Sequence, residues 1–160
     1  MKAASLKELK SAWENLTHSE INEVLLRLIK YKKENKELLN YLLFEAQNET
    51  EYIDHVKEEI DDLFTQLNTK NLYIAKKNIR KIIRVANKYI KYSAIKTTEI
   101  AIYLHLVMKI KSAGIDLSKS VVLSNLYLNL IKKIEMAIST FHEDLQYDFK
   151  KSMENMLISS

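Results

Sequence analysis

The chain contains no cysteine, no proline and a single glycine among its 160 residues. Without thiols there are no disulfides, no thiolate metal centres and no cysteine nucleophile, and such a composition suits a reducing cytoplasm. Proline is missing and the one glycine is Gly114, so the chain lacks the turn residues that strand hairpins and phosphate-cradling loops need. Long apolar runs are missing as well. The best, Ile100 to Met108, is about half of the roughly 20 residues that span a bilayer. No apolar segment follows Met1 and Lys2, so no signal peptide is expected. A cytoplasmic location with no membrane partner is the resulting expectation. A helical chain without a glycine-rich turn to expose a nucleophile or build an oxyanion hole is expected to be no enzyme and to hold no cofactor.

What is present is periodic Leu, Ile, Lys and Glu, with 47% hydrophobic and 29% charged residues. The pattern predicts an all-α fold: a compact multi-helix bundle of about seven antiparallel helices forming a single domain, residues 1–160. An irregular α-solenoid is the alternative. The richness in Lys, Ile and Asn fits an AT-rich bacterial genome.

The segment from Asn71 to Gly114 organises the rest as two helices joined by a short polar turn. At about 100° per residue, Leu72, Ile79, Ile82, Ile83, Ala86 and Ile90 share one face of the first. Lys77, Arg80, Lys81, Arg84, Lys88 and Lys91 share another, an arc of roughly a quarter turn. The second helix is expected to start at Thr97 as N-cap, with Glu99 at the positive end of the dipole. From Ile100 to Ile110 it is apolar almost throughout, interrupted by His105 and Lys109, which marks a helix buried on most sides. Gly114 then stands where a left-handed residue closes a helix.

Upstream, Ser5 with Glu8 and Thr17 with Glu20 are capping boxes that open a first short helix and a second running to about Lys33. Asn35 is the expected cap of a third, ending near Asn48, and Thr50 of a fourth, ending near Asn68. Downstream, Asp116 or Ser118 caps a long final segment that Ser139 and Thr140 bend. Its residues from Val121 to Ile131 are apolar on more than one side, which places it centrally or against a second copy.

Charge is unevenly distributed. From Leu63 to Thr98 there are nine Lys or Arg, Lys70 among them, and no acid; from Glu45 to Asp62 there are eight acids and only Lys57. Either the basic row meets a partner, or it pairs with the acidic helix or stands in solvent. The acidic stretch holds the one metal-like spacing, with Glu51, Glu58, Glu59 and Asp62 around His55. Di-metal bundles use Glu-x-x-His on two helices. Here the order is reversed as His55-x-x-Glu58 and has no second copy, so no metal ligand is assigned. His105 reads as a core histidine hydrogen-bonded to a backbone carbonyl or a tyrosine before it reads as a buried acid–base group or ligand. His142, beside Glu143 and Asp144, and His18, in a capping turn, carry no motif.

The function expected is therefore a non-enzymatic helical interaction module that binds another protein or itself. Its interaction surface is Lys77, Arg80, Lys81, Arg84, Lys88 and Lys91. The alternatives are nucleic-acid binding through the same stripe, and a metal-dependent helical-bundle enzyme using His55 or His105.

Overall fold

Every long regular element in the computed structural model, which describes residues 2–69 and 71–158 (the side chains of 156–158 excepted), is a helix. Eight α-helices are present among the described residues, one more than the periodicity predicts, and they fall into two units, Met1–Phe44 and Glu45–Ser160.

The first unit contains α1 (Leu6–Glu14), α2 (His18–Tyr31) and α3 (Lys33–Asn40), which runs into a single π-helical turn, Tyr41–Glu45. Both capping boxes form: Ser5 and Thr17 accept from the amides of Glu8 and Glu20, whose carboxylates accept from the cap residues in return. Asn35 is not a cap. The chain breaks one turn earlier, at Lys32 with an extended φ of −141°, and the Asn35 side chain instead donates to the Leu28 carbonyl at 2.7 Å. That bond satisfies a carbonyl left open at the end of α2. Helices α2 and α3 pack together, yet none of α1 to α3 contains a buried residue.

The second unit contains α4 (Glu49–Thr65), α5 (Leu72–Ser93), α6 (Lys96–Ser112), α7 (Val121–Ile138) and α8 (Glu143–Ile158). Asn71 caps α5, accepting from the amides of Tyr73 and Ile74. Two caps move. Asn48, not Thr50, starts α4, and Ile95, not Thr97, precedes α6, leaving Thr98 fully buried in its first turn. Asn48 takes the Glu51 amide, and the Glu49 carboxylate beside it accepts from the Thr98 hydroxyl at 2.5 Å and from the Ser93 hydroxyl. This polar knot ties the start of α4 to the α5–α6 link.

That link is tight. Ala94 closes α5 in the left-handed region at φ 57°, which costs a non-glycine residue about 1–2 kcal/mol. Gly114, at φ 69°, takes the left-handed position after α6 without that cost. The final segment does not bend at Ser139 and Thr140; it stops. Their hydroxyls donate to the Met136 and Ala137 carbonyls, satisfying the end of α7, and α8 starts anew at Glu143. Neither Asp116 nor Ser118 caps α7: Asp116 caps a separate 3-10 turn, Leu117–Lys119, and Ser120 caps α7.

Helix α6 packs against α4, α5, α7 and α8, and is the centre of this unit. Ile100, Ile102, Leu106, Val107 and Ile110 are at most 2% exposed, and Ile60, Ile79, Leu130 and Ile134 meet them in the same core. At about 1.5–3 kcal/mol for each large aliphatic side chain buried, this layer dominates the favourable side of folding. No described helix is long and apolar enough to cross a membrane.

Candidate functional site

Helix α5 divides its surface as its sequence does. Ala75, Ile79, Ile82, Ala86 and Ile90 are buried, and Ile83 is half-buried beside them. The opposite arc carries Lys77, Arg80, Lys81, Arg84 and Lys91, all exposed. At a rise of 1.5 Å per residue this row is about 21 Å long. Lys88, the sixth member of the stripe, is half-buried, with its ammonium 4.5 Å from the Tyr89 ring centre and 6.0 Å from that of Tyr92. Its electrostatic role is thereby partly spent inside the protein. Lys70 lies outside the described residues.

The other five are not neutralised by α4. Although α4 and α5 pack together, Lys77, Arg80, Lys81, Arg84 and Lys91 form no ion pair with any described residue. Tyrosine hydroxyls bridge the two helices. The buried Tyr52 hydroxyl donates to the Tyr89 carbonyl at 2.9 Å, and the Tyr89 hydroxyl donates to Glu59 at 2.5 Å. The acids Glu51, Asp54, Glu58 and Asp62 remain exposed on α4. The unit therefore presents an acidic face and a basic face on neighbouring helices.

Asn71 and Asn87 of the basic segment are structural. Asn71 is the α5 cap, and Asn87 accepts from the buried Tyr103 hydroxyl at 2.8 Å, which in turn accepts from Lys133 at 3.1 Å.

His55 is exposed, and among the described residues no group of three or more His, Asp or Glu side chains is placed to hold a metal. His142 is exposed too, 3.5 Å from Asp144. His105 is partnered by a carboxylate of α4, not by the backbone carbonyl or tyrosine expected for a core histidine. Its Nε2 is 2.6 Å from Asp61 Oδ1, while Lys109 Nζ is 2.8 Å from Asp61 Oδ2. Burial raises the Asp61 pKa, but hydrogen bonds from Lys109 and His105, with their charges, outweigh it and hold the carboxyl below its ordinary 3.8. An ionised Asp61 only accepts, so Nε2 carries the hydrogen and donates. His105 also lines a cavity of about 320 Å³, with Lys57 of α4.

Sequence reasoning missed Glu49, Asp61 and Lys109 as organising residues. Their partners are far away along the chain, and the only hint was that a histidine or threonine in an apolar helix needs a polar neighbour.

No protein-family model, no curated protein and no solved structure matches this chain.

Proposed function

We propose that the protein is a non-enzymatic, cytoplasmic helical interaction module whose basic α5 face binds an acidic protein surface. The observation that carries this reading is the row of five exposed cations, Lys77 to Lys91 without Lys88, that no described acid neutralises. Like charges three or four residues apart destabilise a helix by roughly 0.2–0.5 kcal/mol per pair. A partner's carboxylates would offset that cost and draw the partner in along the field. The exposed α4 acids of a second copy form a surface of this kind, so self-association belongs to the same reading.

The straight spacing of the row also favours a second reading, contact with successive phosphates of a nucleic acid. The modest net charge of +4 and the exposed acids of neighbouring α4 weigh against it. Titration of labelled single- and double-stranded DNA and RNA at about 50 and 200 mM salt separates the two. The protein reading expects no micromolar binding at either salt. Tight binding that falls by orders of magnitude between them would replace it with the nucleic-acid reading. Light scattering tests the homotypic form, which a monomer at every micromolar concentration would remove.

A further inference from the structure

We propose that the cavity bounded by α4, α6 and α8 is a binding site for a single-chain amphipathic carboxylate, independent of the α5 face. Its volume, about 320 Å³, stands at the lower end of the roughly 300–1,000 Å³ range of small-molecule sites. Ile100, Leu104 and Met108 recur along one face of α6 and give the cavity an apolar wall about 12 Å long at 1.5 Å per residue. Phe149 of α8 closes the opposite side, held by its contact with the Phe141 ring at 5.3 Å between centres. An apolar wall of this length suits an alkyl tail better than a polar metabolite.

The polar groups decide the head. Lys57 and His105 are the titratable side chains that line the cavity, and no described carboxylate does. Lys57 is 3.5 Å from Asp54, whose side chain is 62% exposed. A one-turn pair in that setting is worth at most about 1 kcal/mol, so the ammonium is readily redirected to a ligand. His105 is oriented by Asp61 through Nε2, and no described residue engages its Nδ1. An anionic head at Lys57 with an alkyl tail along α6 satisfies both halves of the site.

Decanoate, kept below its micelle-forming concentration, is the probe, titrated calorimetrically into the intact protein. One saturable site is expected. Ser152→Trp, at an exposed position on the cavity mouth, and Ala101→Leu, on its wall, are the blocking variants. At least one of them, with helicity retained, should weaken binding about tenfold or more. Lys57→Met should weaken decanoate about tenfold, the loss of one charged hydrogen bond, and leave decanol unaffected. The proposal is overturned by the absence of saturable heat, by undiminished affinity in both blocked variants, or by decanol binding as tightly as decanoate.

Discussion

The two units differ in what makes them helical. Residues of the first carry the strongest local signals in the chain, two complete capping boxes, yet no residue of α1 to α3 is fully buried: Leu25 and Ile29 are half-buried, Leu6 is 84% exposed and Leu28 49%. The second unit has weaker local signals, with α6 starting on an uncapped isoleucine and α5 ending on a left-handed alanine, but it owns a dense aliphatic core. Capping adds about 1 kcal/mol per helix end, and burial adds that or more for every core side chain. Local signals place a helix; burial holds it. The first unit should therefore be the more labile, and its open apolar side chains the more sensitive to what surrounds them.

Removing core volume should widen the contrast most. Leu106→Ala in α6 is expected to cost about 2–5 kcal/mol. Leu28→Ala in α2, from a side chain already half in water, should cost less than about 1 kcal/mol. Chemical denaturation of the two variants measures both, and equal losses would break the comparison.

Next comes the polar knot. Glu49→Ala leaves the Thr98 and Ser93 hydroxyls without their shared acceptor, an effect of about 1–3 kcal/mol in the same assay. Glu49→Gln, which keeps an acceptor oxygen, should recover part of it.

Acid sharpens the contrast more gently. The Glu8 carboxyl is held below its ordinary 4.5 by hydrogen bonds from the Ser5 hydroxyl and amide, and Glu20 by those from the Thr17 amide and hydroxyl. Depressed folded values mean that this stabilisation is complete above 4.5 and lost as pH falls through the folded values. The corresponding loss at Asp61 in the second unit begins only below its ordinary 3.8. Hydrogen exchange on acidification should therefore speed up in α1 and α2 before it does in α6. Simultaneous loosening would contradict this order.

The elements that sequence made legible are those set by residues close together along the chain. The capping boxes, Gly114, the central place of α6 and the basic arc of α5 all follow from spacings of a few residues. The errors have a common cause. Several polar residues near each helix start could cap it: Asn48 rather than Thr50 takes the Glu51 amide, and Thr98, in the first turn that Ile95 opens, is held by Glu49 across the fold. Likewise Ser139 and Thr140 end α7 rather than bend it because their hydroxyls take the last carbonyls, an outcome identity alone does not specify. The stripe was visible in full, but that Lys88 folds over Tyr89 while its neighbours stand open required coordinates.

The smallest expected effect is also the most telling. If the α5 face is open surface held for a partner, the double variant Arg80→Glu, Arg84→Glu breaks no internal pair and places opposite charges one turn from Lys77, Lys81 and Lys88. Thermal unfolding of that variant should show a melting temperature unchanged or slightly raised, with full helicity. A fall of several degrees would mean that the stripe is bound within the fold, and would contradict the account.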